Sequence, residues 1–92
     1  MNTHKPRTKE EAHTEALAGN LDEQYTIGDQ LDLIILQSPS ENNDREAYAR
    51  HKDVAVFIYP NGLNLHAGTH IIARISEKGD NHVKAVAIAS LD

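Results

Sequence analysis

The most strongly patterned segment of this chain reads Val54-Ala55-Val56-Phe57-Ile58-Tyr59-Pro60-Asn61-Gly62. β-Branched and aromatic residues run continuously around Ala55, the composition that suits a pleated strand. Both faces are apolar, so the strand is expected to lie inside a sheet, with neighbours on either side. Pro60-Asn61-Gly62 stops it with residues that favour a turn.

On either side of this strand the same period recurs. Upstream, Glu46 to His51 reads as a short strand with Tyr48 and Arg50, and Lys52 just beyond, at period-two spacing, and Asp53 marks a tight turn or bulge. Before it, Ser38-Pro39-Ser40-Glu41-Asn42-Asn43-Asp44 is rich in turn formers and reads as a loop. Gln30 to Ser38 is a strand with Leu31, Leu33 and Ile35 on one face and Ile34 and Leu36 on the other. Downstream, Thr69 to Ser76 alternates Ile71, Ala73 and Ile75 against Ile72 and Arg74. The turn Glu77-Lys78-Gly79-Asp80-Asn81 leads into His82 to Ser90, where Ala85, Ala87 and Ala89 alternate with Val86 and Ile88. Short strands with turn signals between them predict an all-β fold. A small five-stranded antiparallel barrel of the OB or TRAM type is the economical closure, because it removes exposed edges. Alanines on one face of the last strand fit a tapered interior.

The 92 residues suit one domain. Large apolar residues are scarce before Tyr25, so residues 25–92 are expected to form the barrel and residues 1–24 a polar extension, disordered or briefly helical. Lys9 to Ala18 are good helix formers, with Gly19-Asn20 as a stop, but the apolar face is only Ala12, Ala16 and Leu17. There are no cysteines, which excludes disulfide staples, thiolate metal ligands and a cysteine nucleophile. Small secreted domains usually need such staples, so a cytoplasmic setting is expected. No apolar run approaches the ~20 residues of a membrane-spanning helix. The formal net charge of −5 argues against a polybasic arm. It leaves room for a local basic face.

From Gly28 to Ile88 the chain resembles a TRAM domain. Gly28-Asp29 precedes the first strand, Ala47-Tyr48-Ala49-Arg50 is a short strand ending on a basic residue, and Val54-Ala55-Val56-Phe57-Ile58 is a valine-rich strand with an aromatic. Gly68 precedes Ile71-Ile72-Ala73-Arg74-Ile75, and the last strand carries Ala85 and Ala87 two apart. The family's glycines before the second strand are replaced by Arg45-Glu46, and Lys84 and Val86 stand where aromatics are frequent. TRAM domains are small RNA-binding β-barrels, appended to some tRNA- and rRNA-modifying enzymes or free-standing in archaea. The resemblance therefore implies RNA binding with low sequence specificity, as an RNA chaperone or an accessory factor in RNA metabolism.

Binding single-stranded RNA requires cations for the phosphates and exposed rings on which bases stack. The candidate residues are Arg50, Lys52, Arg74 and Lys84 for phosphate, and Tyr48, Phe57 and Tyr59 for stacking. Phe57 also reads as core, given its place in the most apolar strand. The competing reading is a protein-interaction module that keeps the barrel without the nucleic-acid face and engages a partner through the N-terminal extension.

No cofactor, metal or catalytic centre is expected. His66 and His70 have zinc-like spacing only on a helix, whereas Thr69-His70-Ile71-Ile72 reads as strand. Ser38, Ser40, Ser76 and Ser90 lack a nucleophile elbow. Asp29 with Asp32, and Asp44 with Glu46, lie near turns and read as solvated carboxylates. Gly62 and Gly68 have no following helix to cradle phosphate.

Overall fold

A computed structural model describes residues 24–92. The elements are β1 (Gln30–Ile34), α1 (Pro39–Asn42), β2 (Ala47–His51), β3 (Val54–Tyr59), β4 (His70–Lys78) and β5 (His82–Ser90). The extension expected over residues 1–24 falls, but for Gln24, outside the described residues.

The five strands form one curled half-barrel sheet in the order β1-β4-β5-β3-β2. Three of its pairings are antiparallel, but β3 and β5 run parallel, with Phe57 opposite Lys84 and Tyr59 opposite Val86. The expectation of a purely antiparallel sheet is therefore corrected. The reason is connectivity. After β3 the chain crosses to a position one strand away, and β5 returns from β4 into the gap between them. Because β4 runs opposite to β3, a strand antiparallel to β4 in that gap runs alongside β3 in the same direction.

Strand alternation places one row of each strand inside. Val54, Val56 and Ile58 of β3 are fully buried, as are Ile71, Ala73 and Ile75 of β4 and Val83, Ala85 and Ala87 of β5. Leu31, Leu33 and Ile35 supply the first strand's share, with Ile34 and Leu36 left on the outside, as the alternation predicts. Across the sheet, Ala47, Ile58, Ala85 and Ile75 occupy paired positions in neighbouring strands. Small and large side chains thus alternate along the row, and the sheet can curl without its inner side chains colliding. Register shifts at Ile72/Ala73 and Ile75/Glu77 add local bends to β4. Leu65, from the long β3–β4 connection, is buried against the same core.

The outer strands meet at one end. Leu36 N–H donates to the Tyr48 carbonyl at 2.8 Å, and Tyr48 N–H donates to the Gln37 carbonyl at 3.0 Å. This isolated antiparallel bridge joins the continuation of β1 to β2. Several local features differ from expectation: β1 ends at Ile34 short of Ser38, and β4 continues through Glu77 and Lys78, which were expected in the turn. The Ser38–Asp44 loop contains the single turn α1, entered through Pro39 and held by the Glu41 carboxylate, which accepts the Ser38 N–H at 2.9 Å. That bond holds the Glu41 carboxyl below its ordinary pKa. The period-two pattern of β2 ends at His51, because Lys52 and Asp53 have φ of 50° and 67° and form the two-residue hairpin turn into β3. Paired positive φ values match the twist of the flanking strands. No helix among the described residues is long and apolar enough to cross a membrane.

Candidate nucleic-acid interface

Because Val54, Val56 and Ile58 take the inner face of β3, the alternate residues Ala55, Phe57 and Tyr59 must face outward. On β2 the same parity buries Ala47 and Ala49 and turns Tyr48 and Arg50 out. On β5 it buries Val83 and Ala85 and turns His82, Lys84 and Val86 out. The register then sets these outward residues side by side. Arg50, Ala55 and His82 form one cross-strand row, Tyr48, Phe57 and Lys84 the next, and Tyr59, Val86 and Arg74 the third.

Phe57 is therefore a half-buried residue of the outer face, and the core reading of it is corrected. Its ring lies 5.6 Å from Tyr48, tilted by 44°, and 5.7 Å from His82, edge-on at 77°. Both separations fall in the range where aromatic pairs attract. The three rings form a contiguous cluster of tilted and edge-on contacts across β2, β3 and β5. His82 was not singled out from the sequence, although its spacing to Lys84 places both on one face of β5.

Cationic side chains share this outer face. The Arg50 guanidinium donates to Tyr48 Oη at 2.8 Å and to the Asp53 carbonyl at 2.7 Å, which fixes it along β2 and steadies the Tyr48 ring. Lys84 Nζ lies 3.7 Å from Glu46 Oε2 in a half-exposed ion pair beside the cross-strand row of Tyr48 and Phe57. Arg74 is exposed, and its guanidinium has no hydrogen-bond or ion-pair partner among the described residues. Tyr59 is 57% exposed at the end of β3. Lys52 is separated from this group at the hairpin tip. Thus Tyr48, Arg50, Phe57 and Lys84 come together, Tyr59 and Arg74 adjoin them one row away, and Lys52 stands at the margin.

The other described histidines lie apart from this cluster. Tyr25, buried with 2% exposure, seals one end of the core, and its Oη lies 2.8 Å from His51 Nδ1 and donates to the His51 carbonyl at 3.1 Å. Partial burial, with the nearby Lys52 charge, lowers the His51 pKa, and burial raises that of Tyr25. His70 pairs through Nε2 with the Asp32 carboxylate on β1, and its backbone N–H donates to Asp92 at 2.9 Å. His66 is exposed in the β3–β4 connection. No three His, Cys, Asp or Glu side chains are grouped as metal ligands among the described residues.

A scan against protein-family models, a search of curated proteins and a search of solved structures each find no match to this chain.

Proposed function

We propose that this chain is a TRAM-like barrel of OB type that binds single-stranded RNA with little sequence preference, as a chaperone or accessory factor in RNA metabolism. The observation that carries this reading is the outward cluster of Tyr48, Phe57 and His82, with Arg50 and Lys84 beside it. An outward aromatic row contributes little to a core, yet it offers stacking surface to bases of any identity. Guanidinium and ammonium groups next to it suit the phosphates that link those bases.

The connectivity supports the same reading. OB-type barrels are five-stranded, partly open and Greek-key, and they bind oligonucleotides on the face of strands 2 and 3, flanked by the loops between strands 1 and 2 and between strands 4 and 5. Here the ring cluster lies on β2 and β3 and continues onto β5. The segment containing α1 and the Gly79–Asn81 turn are the corresponding loops.

The competing reading, a protein-interaction module, is favoured by exposed Ile34 and Leu91, which both flank His70 away from the ring cluster. Fluorescence anisotropy of a labelled oligouridine, titrated with the full chain at low salt, separates the two. Saturable binding that weakens with added salt supports RNA binding. Absence of binding at low salt removes it and leaves the interaction reading.

A further inference from the structure

Next to the ring cluster, between the α1–β2 loop and the β3 turn, lies an open concavity of about 600 Å³. Asp44, Arg45, Glu46, Tyr59, Asn61 and Lys84 supply most of its lining. Three features set it apart from an ordinary surface dip.

Its rims are held in shape by side-chain to main-chain bonds. Asn43 Oδ1 accepts the N–H groups of Arg45 and Glu46 at 2.9 and 2.7 Å, and Asn42 Nδ2 donates to the Glu46 carbonyl at 2.8 Å. Across the concavity, Asn61 Nδ2 donates to the Ala87 carbonyl at 3.1 Å. Asp44 and Asn61 both adopt left-handed backbone, with φ of 69° and 53°, a conformation that costs free energy and that short polar side chains tolerate best. A preformed site loses less entropy on binding than a mobile one.

Two of its charged groups are also uncommitted. Neither the Asp44 carboxylate nor the Arg45 guanidinium has a side-chain partner among the described residues. Glu46, in contrast, is taken up by Asn43 and Lys84.

Finally, its chemistry is that of a nucleotide site. The exposed Tyr59 ring can stack on a base, Arg45 carries a charge for a phosphate, and Asp44 is an acceptor-only group with two oxygens. A carboxylate paired edge-on with a base needs two adjacent donors. Among the four RNA bases only guanine presents them, as N1–H and N2–H.

We propose that this concavity is a guanine-preferring nucleotide subsite. The base stacks on Tyr59, its N1–H and N2–H edge meets Asp44, and its phosphate meets Arg45. The inference rests on the RNA-binding reading above and adds to it a sequence preference at one position. The chain would bind a uridine tract anywhere along the ring cluster and anchor it where a guanine reaches this subsite.

The test titrates the full chain with an oligouridine and with the same oligomer carrying one central guanine, adenine or cytosine. The guanine oligomer should bind about tenfold more tightly than the others, the discrimination expected of one good bidentate contact. Asp44→Asn tolerates the same backbone conformation, so it should fold normally and abolish that preference while leaving oligouridine affinity unchanged. Tyr59→Ala should weaken the guanine oligomer most. Equal affinity for all four oligomers, or a guanine preference untouched by Asp44→Asn, overturns the subsite and leaves the RNA-binding reading standing. Failure of every oligomer to bind removes both.

Discussion

Tyr48 and Phe57 occupy directly paired positions on β2 and β3, with ring centroids 5.6 Å apart, and the Tyr48 main chain also makes the bridge that joins β2 to the continuation of β1. The residue that begins the aromatic surface is thus also the one through which the curled sheet brings its outer strands together. The candidate interface depends on the curl of the sheet, because Tyr48 is placed from both sides. This relationship makes side-chain and backbone roles separable by mutation.

Phe57→Ala removes the central ring of the cluster while every backbone bond and inner-face contact remains. Loss of one stacking platform is worth about 1–3 kcal/mol per base. Affinity for oligouridine should therefore fall about tenfold or more. Ile58→Ala, one residue along on the buried face, should instead lower stability by about 2–5 kcal/mol through the cavity it leaves. Thermal unfolding and anisotropy titrations on both variants check the contrast: Phe57→Ala moves binding more than stability, and Ile58→Ala does the reverse.

Arg50, Arg74 and Lys84 lie on the outer face of the sheet, and the RNA-binding proposal gives each of them one phosphate. Three neutralised phosphates on a single strand give a slope of log K against log salt of about −2. Lys84→Ala should flatten this slope by roughly 0.7, the share of one phosphate. A salt series on the wild type and this variant measures both values.

Tyr25 and His51 make stability depend on pH from both sides. Burial, together with Lys52, holds the His51 pKa below its ordinary 6.5, so the unfolded chain binds this proton more readily than the folded one. The stabilisation is present above about pH 6.5 and is lost as pH falls through the lowered folded value. Burial raises the Tyr25 pKa above 10.0, so its contribution is present below pH 10.0 and is lost as pH rises through the raised folded value. Melting temperature followed from pH 8 downward should decline less steeply in His51→Gln than in the wild type, and from pH 9 upward less steeply in Tyr25→Phe.

Asp53 has φ of 67° at the second position of the β2–β3 turn, where glycine is the favoured residue. Asp53→Gly should raise stability by roughly 1 kcal/mol, because left-handed backbone costs an L-residue about 1–2 kcal/mol and part of the gain is offset by glycine's greater freedom when unfolded. The bond from Arg50 to the residue 53 carbonyl is retained. RNA affinity should stay within about twofold in the same titration. Chemical denaturation measures the gain.

The strands were legible because their side chains alternate. Val54–Tyr59 and His82–Ser90 match the sequence reading residue for residue, and the Leu31, Leu33 and Ile35 face is the buried one. The face of Phe57 was not legible, since both faces of β3 are apolar and local pattern cannot tell inside from outside. Only the neighbouring strands decide it, through Ala47 and Ala49 on β2 and Val83 and Ala85 on β5. The period-two pattern of Tyr48, Arg50 and Lys52 reads one step too far along β2, because it continues smoothly into a turn that backbone twist imposes. The helical turn α1 did have a signal, Ser38 with Glu41 three residues on, which is a capping pattern within an apparent loop. The parallel pairing of β3 with β5, and with it the approach of Lys84 to Phe57, is a property of chain connectivity that no local segment encodes.

The most direct test of the outer-face account is a heteronuclear NMR titration of the full chain with an octamer of uridine at low salt. Perturbations should concentrate on Tyr48, Arg50, Phe57, His82 and Lys84, with the buried faces of the same strands little affected. Unmoved resonances across β2, β3 and β5, or changes confined to Ile34, Leu36 and Leu91, would contradict it.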